Sequence, residues 1–257
     1  MKIENLLLLI ILGCLASCSK NASDLEVLNL EGEFVINADQ RFTENGSAFS
    51  YYITTANDQE CQSSEIVYRL LDVEGELNLI LEDITQIENC PSDAGKVEAY
   101  IPVSIVEGKT DVSISLRNVV KNKGTLESTA TQYKLDLPNS EGIIIGNSVV
   151  NKMPEDVLFG VVTGVNLQDP VMQNLLDSLD QFNQGSLTDG YYTSYFSVSD
   201  GEANFLDDTP TPAEHKDVYY RLENKEAFID FIRAYKENHN IFGFRLRDSA
   251  NGELILI

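Results

Sequence analysis

Hydrophobic and polar residues alternate along most of the first half of the chain. The alternation runs through segments 28–36, 49–55, 65–70, 76–81, 97–103, 111–116 and 132–137. A period of two places one face of each strand in a core and the other face in water. Turn-forming pairs such as Asn45-Gly46 separate the segments. We therefore predict an antiparallel β-sandwich over residues 25–140, immunoglobulin-like in its strand pattern although the chain contains no Trp.

The pattern changes near Pro138, and we place a domain boundary between residues 140 and 141. Two apolar segments follow this boundary, at residues 143–150 and 157–165. Because a short polar stretch separates them, we expect them to pair as a buried hairpin. The hairpin would belong either to the end of the first domain or to the start of the second.

Two helices are predicted in the second half. Asp169 and Pro170 form an N-cap and a favoured first helical position, and apolar residues then recur at helical spacing up to Phe182. Asn224 caps a second amphipathic helix, which ends near residues 238–240. Strands are predicted at residues 191–198, 203–206, 218–222, 241–247 and 253–257. Residues 141–257 thus predict an α+β domain with two helices packed on an antiparallel sheet.

The first seventeen residues have the features of a secretory signal. A basic start at Lys2 precedes an apolar run over residues 6–12, and the tetrapeptide 15–18, Leu-Ala-Ser-Cys, follows. A membrane-spanning helix needs about 20 apolar residues, and this segment is too short to supply them. We predict that residues 1–17 are a signal peptide and that residues 18–24 are a tether.

This segment resembles the signal of bacterial lipoproteins, in which an aliphatic residue, two small residues and an obligatory Cys form the lipobox. The resemblance covers about the first twenty residues. It implies that Cys18 carries acyl chains such as palmitate, which anchor the protein to a bilayer in the cell envelope. Ser19 after the cysteine implies delivery to the outer membrane. The alternative is an ordinary cleaved signal followed by a soluble secreted protein.

Charge restricts the range of partners. The formal net charge is −23, and residues 1–17 contain one Lys and one Glu, so their removal leaves this charge unchanged. An acidic surface repels phosphate groups, which excludes nucleic acid as a partner. The partners that remain are the membrane, reached through the lipid anchor, and a protein or glycan of the envelope.

Cysteine use agrees with export. Cys14 lies in the signal and Cys18 is the predicted lipidation site, which leaves Cys61 and Cys90 in the folded body. A single pair in an oxidising compartment most simply forms a disulfide, and we predict one between these two residues. A metal site and a reactive thiol are the alternatives, although no His lies near either cysteine in the sequence.

Residue patterns typical of catalysis are absent from the sequence. It contains no Gly-x-Ser-x-Gly motif, phosphate loop or dinucleotide fingerprint, so we predict no organic cofactor. Carboxylate and amide oxygens of the kind that Ca²⁺ prefers cluster near residues 200–208. The possible metal ligands are Asp200, Glu202, Asp207 and Asp208. The alternative is a solvated acidic hairpin, which turns at Asp200-Gly201.

Aromatic residues are concentrated in the second half, where residues 191–244 hold 12 of the 22 in the chain. In a continuous strand, Tyr191 and Tyr195 share one face, so this pair points away from the core unless both faces are covered. An exposed aromatic face can stack on a sugar or contact a protein. The candidate ligand-binding residues are Tyr191, Tyr195, Tyr219 and Tyr220.

Taken together, these features predict an envelope-anchored lipoprotein that acts as a non-catalytic binding or accessory module for a protein or glycan partner. One alternative is an envelope hydrolase that uses the acidic loop at residues 200–217. The other alternative is a structural component of an envelope assembly, in which the sandwich serves as a spacer.

Overall fold

The computed structural model describes residues 32–43, 46–85, 87, 89–164, 166–205, 214–239 and 242–257. The predicted signal peptide, the tether with Cys18, and the acidic residues Asp207 and Asp208 lie outside these ranges. All of the described residues belong to one compact unit. Within them, neither helix combines the length and the hydropathy of a membrane-spanning segment.

The first ten strands form a β-sandwich. They are β1 (Phe34–Thr43), β2 (Gly46–Thr55), β3 (Ile66–Val73), β4 (Glu76–Ile84), β5 (Glu98–Val103), β6 (Gly108–Leu116), β7 (Val120–Ser128), β8 (Gln132–Asp136), β9 (Ile143–Ile145) and β10 (Val149–Asn151). One sheet has the order β5-β2-β1-β9 and the other β10-β8-β7-β6-β4-β3. Neighbouring strands are antiparallel, except that β9 runs parallel to β1 and β6 to β4. Their inner faces share one apolar core, so the predicted sandwich is confirmed.

The rest of the chain is α+β, as predicted. It contains β11 (Val157–Gly164), α1 (Pro170–Asp180), β12 (Gly190–Thr193), β13 (Phe196–Ser199), β14 (Glu202–Phe205), β15 (His215–Arg221), α2 (Lys225–Asn238), β16 (Phe242–Asp248) and β17 (Leu254–Leu256). An antiparallel sheet has the order β15-β11-β16-β17, which we call the four-stranded α+β sheet. A second antiparallel sheet, with the order β12-β13-β14, is called the small sheet.

Both helices begin at the predicted caps. Oδ1 of Asp169 accepts the N–H of Val171 at 2.8 Å, which satisfies one of the free donors at the start of α1. Oδ1 of Asn224 accepts the N–H of Ala227 at 2.9 Å and does the same for α2. The apolar stripes of the two helices pack against one face of the four-stranded α+β sheet. The opposite face of that sheet is therefore left for a different contact.

Phe159 lies at the centre of this opposite face. Its side chain is fully buried, and its ring centroid lies 4.9 Å from that of Phe196 and 6.1 Å from that of Phe205, both in the small sheet. The ring of Phe42, on strand β1 of the sandwich, lies 5.5 Å away. One aromatic side chain of the four-stranded α+β sheet thus contacts rings from two other sheets.

The hairpin expected from residues 143–165 is not formed, so this prediction was wrong. Strand β9 pairs with β1, β10 pairs with β8, and β11 pairs with β15 and β16, so the segment enters three different sheets. Between β9 and β10 the chain crosses from one sandwich sheet to the other. Oδ1 of Asn37 accepts the N–H of Asn147 at 2.7 Å and fixes this crossing.

The single strand predicted at residues 191–198 is instead two strands, β12 and β13, joined by a turn at Ser194 and Tyr195. Oγ1 of Thr193 accepts the N–H of Tyr195 at 3.2 Å. Oδ1 of Asp39, on the sandwich, accepts the N–H of Ser194 at 2.7 Å. These side-chain acceptors compete with the strand ladder for backbone donors. As a result, Tyr191 and Tyr195 do not share the face of one strand.

The predicted disulfide is present. Cys61 and Cys90 are bonded, with their Cα atoms 5.6 Å apart, and both lie in loops. Closing a loop of this length stabilises a fold by about 3.5 kcal/mol in the chain-entropy model. The bond therefore restrains the loops that flank β3 and β4 on the sandwich.

Replacing Phe159 by Ala is expected to lower the free energy of unfolding by about 3–5 kcal/mol, because the substitution leaves a cavity among three packed rings. Urea denaturation of the purified mature protein, followed by circular dichroism, measures this loss. Tyr191→Ala serves as the control, since Tyr191 is 44% exposed and its removal is expected to change stability by about 0.5 kcal/mol or less. Equal losses for the two variants would contradict the central position of Phe159.

Candidate functional site

A cavity of about 270 Å³ lies where the sandwich, the four-stranded α+β sheet and the small sheet meet. Three arginines line it: Arg41, Arg245 and Arg247. Four aromatic rings form part of its wall: Tyr100, Phe159, Tyr195 and Phe205. Among the described residues that line the cavity, none is Asp, Glu, His, Ser or Cys. We call this feature the arginine cavity.

Strand register brings Arg245 and Arg247 to the cavity. Phe159 lies opposite Arg247 on the neighbouring strand, and Arg247 in turn lies opposite Leu254. Val161 lies opposite Arg245 in the next row. Because side chains alternate along a strand, both arginines point to the face that the helices leave open. The apolar side chains of Phe159 and Val161, with the two arginines beside them, therefore form one wall of the cavity.

Arg41 approaches from the sandwich and lies over an aromatic stack. Its guanidinium carbon is 3.2 Å from the ring centroid of Tyr100. The other face of that ring stacks on Tyr52, with centroids 4.6 Å apart and planes 20° apart. A cation–π contact of this kind contributes about 0.5–2 kcal/mol, depending on desolvation. The rings thus hold the guanidinium of Arg41 in place at the cavity wall.

The two arginines of β16 are held to different extents. Nη1 of Arg247 donates to the carbonyl oxygen of Gly252 at 3.0 Å, and its guanidinium carbon lies 5.8 Å from the ring centroid of Tyr195. Arg245 is exposed, and its side chain makes no hydrogen bond or ion pair with the residues that the structure describes. The guanidinium of Arg247 is therefore held in one orientation before any ligand binds, whereas the N–H donors of Arg245 remain available to a ligand.

Ion pairing separates these arginines from the others. The chain contains seven arginines, of which four form ion pairs. The pairs are Arg69–Glu82, Arg117–Glu33, Arg221–Asp156 and Arg233–Asp230. The three arginines that pair with no carboxylate in the described part of the chain all line the arginine cavity. Positive charge therefore converges at one place on an acidic protein.

Asp39 is a described acidic residue close to this charge. It lies on β1 two residues before Arg41, and its side chain is fully buried. Its Oδ1 accepts the N–H groups of Gln40 at 2.8 Å and Ser194 at 2.7 Å, while Oδ2 has no hydrogen-bond partner among the described residues. Burial raises the pKa of Asp39, although these hydrogen bonds and Arg41 act to lower it. Asp39 therefore neutralises the cavity less than an ordinary carboxylate would.

The phenol groups at the cavity remain protonated at neutral pH. Burial raises the pKa of Tyr100 and of Tyr195 above the ordinary value for tyrosine. The hydroxyl of Tyr100 lies 3.3 Å from Oγ of Ser194, in the turn between β12 and β13. The cavity thus presents cationic guanidiniums and neutral hydroxyls, a set of donors suited to binding an anion.

The structure distributes the predicted tyrosines over three places. Tyr195 lines the arginine cavity, and the exposed Tyr191 lines a shallow cavity with Tyr52. Tyr219 is half-buried and lines a third cavity, of about 400 Å³. Tyr220 contributes to the same cavity but is only 3% exposed, because its ring packs in the apolar core between the two helices and the four-stranded α+β sheet. The four side chains therefore do not form one binding surface.

The structure describes two of the four residues of the predicted acidic site. Asp200 and Glu202 flank the tight turn between β13 and β14, where the N–H groups of Asp200 and Gly201 each lie 3.1 Å from the Asp189 carboxylate. Asp207 and Asp208 lie outside the described residues. In the described part of the chain, no group of three or more His, Cys, Asp or Glu residues is placed to hold a metal ion. Calcium binding stays a prediction.

Sequence reasoning missed the three arginines and Tyr100. Arg245 and Arg247 carried a usable signal, since two cations at alternate positions of a predicted strand share one face. Arg41 carried none, because only the packing of the sandwich against the later sheets brings it to them.

Comparison with known proteins adds no functional assignment. The chain matches no protein-family model, no curated protein and no solved structure. The chemistry of the cavity is accordingly argued from its own residues.

Asp39→Asn is expected to change how stability depends on pH. In the unfolded chain Asp39 ionises near its ordinary pKa of 3.8, while burial raises the folded value. The native protein therefore loses stability as pH rises from the ordinary pKa towards the raised one. The amide keeps an oxygen for the N–H groups of Gln40 and Ser194 but does not ionise.

The unfolding free energy of Asp39→Asn minus that of the wild type is thus expected to increase with pH over a range that begins near the ordinary pKa of 3.8. Urea denaturation at several pH values measures the difference. A difference that is constant or that decreases over this range would show that Asp39 is not held in its neutral form.

Proposed function

We propose that this protein is a lipid-anchored module of the bacterial cell envelope, which recognises a protein or glycan partner without catalysing a reaction. The observation that carries the proposal is the composition of the arginine cavity, whose described lining contains no Asp, Glu, His, Ser or Cys. Hydrolases usually draw their acid, base or nucleophile from these residue types. Arginine and tyrosine are instead enriched where binding energy is concentrated.

The anchor is supported by the sequence around Cys18. Its lipobox resembles that of bacterial lipoproteins, and two or more acyl chains are enough to hold a protein stably on a bilayer. The disulfide between Cys61 and Cys90 fits an oxidising compartment outside the cytoplasm. Ser19 favours the outer membrane as the destination. The net charge of −23 argues against nucleic acid as the partner.

An envelope hydrolase is the second candidate, because the cavity of about 400 Å³ is lined by Glu202, His215 and Asp217. Nε2 of His215 lies 4.0 Å from Oδ1 of Asp217. However, Oδ2 of Asp217 accepts the N–H of Phe205 at 2.8 Å, which gives this carboxylate a structural role in holding β14. The arginine cavity therefore supports recognition more directly than this cavity supports catalysis.

Cys18→Ala is expected to abolish lipidation, because the sulfur that receives the diacylglyceryl group is removed. In a bacterial host, radiolabelled palmitate is expected to enter the wild type and not the variant. The wild type is expected in the detergent-soluble membrane fraction, and the variant is expected to lose this association. Equal labelling of both proteins, or an N-terminal Met1 on wild-type protein purified from its native host, would contradict the anchor.

Recognition through the arginine cavity is tested by recovering partners from native membranes with the mature lipidated protein. The double variant Arg245→Gln/Arg247→Gln is expected to lose the partner that the wild type retains. The double variant Arg69→Gln/Arg233→Gln removes the same charge from surface arginines outside the cavity and is expected to retain it.

Equal recovery by all three proteins would place recognition elsewhere on the molecule. A partner that is released in a shortened form by the wild type would instead favour the hydrolase. Urea denaturation of each variant measures whether the fold is intact, which matters most for Arg247, since it is half-buried and donates to Gly252.

A further inference from the structure

The guanidiniums of the arginine cavity form no ion pair with the carboxylates that the structure describes. The sequence contains 41 Asp and Glu residues, yet Arg41, Arg245 and Arg247 pair with none of those that the structure describes. Arg41 and Arg247 are half-buried, and a partly desolvated cation costs free energy unless an anion compensates it. Asp39 is a neighbouring carboxylate, but burial raises its pKa, and the described lining of the cavity contains no carboxylate. An anionic ligand would supply the compensating charge.

The volume of the cavity limits the ligand to one small group. At about 270 Å³, the cavity is slightly smaller than the range of about 300–1,000 Å³ that is common for ligand pockets. An extended polyanion would also contact the acidic surface around it, since the whole chain carries a net charge of −23. A ring-sized ligand with one negative group avoids this repulsion.

The wall of the cavity also requires an apolar face on the ligand. Val161 and Phe205 line one side, and Leu254, which is 43% exposed, lies beside Arg247. Inorganic phosphate and sulfate have no apolar face to place against these side chains. A sugar ring offers C–H groups on one face and hydroxyls at its edge. The protonated hydroxyl groups of Tyr100 and Tyr195 are suitable partners for those hydroxyls.

We infer that the arginine cavity binds the carboxylate of an acidic sugar, namely a hexuronate or a similar carboxylated unit of an envelope glycan. Arg245 and Arg247 supply the N–H donors that match the two oxygens of a carboxylate, and Arg41 supplies a third positive charge. The apolar wall contacts the ring. This inference rests on the proposed recognition function and specifies the ligand of the same cavity.

Isothermal titration calorimetry on the mature full chain in detergent tests the inference with four probes. D-glucuronate carries both the ring and the carboxylate, D-glucose lacks the carboxylate, and inorganic phosphate lacks the ring. N-acetylglutamate carries two carboxylates on a peptide-like group. Glucuronate is expected to bind at one saturable site, at least about tenfold more tightly than each of the other three probes.

Two variants locate the binding. Arg245→Gln and Arg247→Gln are each expected to weaken glucuronate binding at least about tenfold, because each removes a charge-assisted pair of donors. Arg233→Gln changes the net charge equally at a site outside the cavity and is expected to leave the affinity unchanged. Because Arg245 is exposed, its replacement is expected to leave the fold intact, and urea denaturation measures the stability of each variant directly.

Absence of saturable glucuronate binding overturns the inference, and so does equal binding of glucose. Phosphate binding as tight as that of glucuronate identifies a site for bare oxyanions, and equal binding of N-acetylglutamate identifies a site for acidic peptides. Either result overturns the assignment to a sugar. A loss of affinity in Arg233→Gln equal to that in Arg245→Gln also overturns it, because the effect would then come from overall charge.

Failure of this inference is distinguishable from failure of the proposed function. If membrane partners are recovered in a manner that depends on Arg245 and Arg247 but glucuronate does not bind, recognition stands and the acidic sugar is overturned. If glucuronate binds in a manner that depends on these arginines but no membrane partner is recovered, the ligand chemistry is supported and the envelope partner is overturned.

Discussion

Packing around the ring of Phe159 joins the parts of the protein that surround the arginine cavity. The ring contacts Phe42 on the sandwich and Phe196 on the small sheet. On its own sheet, Phe159 lies opposite Arg247, while Phe42 directly follows Arg41 along β1. A buried apolar contact therefore sets the separation of guanidiniums that come from different sheets. The arginines themselves repel one another and would not bring these sheets together.

The contact between Asp39 and Ser194 adds direction to this packing. Apolar burial is non-directional, whereas the hydrogen bond at 2.7 Å fixes the turn between β12 and β13 on the sandwich. That turn places Tyr195 at the wall of the cavity. It also interrupts the single strand that the sequence pattern predicts over residues 191–198. Burial of Asp39, which raises its pKa, is the cost of this arrangement. The same burial limits how far Asp39 neutralises Arg41.

Elements that depend on local signals could be predicted from the sequence, and contacts between distant elements could not. The caps at Asp169 and Asn224 and the turn at Asp200-Gly201 each act within a few residues, and each lies where it was expected.

The pairing partners of the short apolar strands β9, β10 and β11 were missed, because an apolar run does not indicate which sheet receives it. Arg41 was missed for the same reason, since nothing near it in the sequence refers to β16. Cys61 and Cys90 were paired correctly because they were the two cysteines left for the folded body.

The proposed anion site combines local positive charge at the arginine cavity with negative charge over the rest of the protein. At physiological ionic strength charges are screened over about 8 Å, so the negative surface beyond the cavity acts weakly on a ligand that lies inside it. The guanidiniums of Arg41, Arg245 and Arg247 then dominate the potential that a small anion meets. A long polyanion cannot benefit in the same way, because its remaining charges lie against a surface whose net charge is strongly negative. Under the proposed recognition function, a local excess of arginine on an acidic body would therefore favour small anions that fit inside the cavity over extended polyanions.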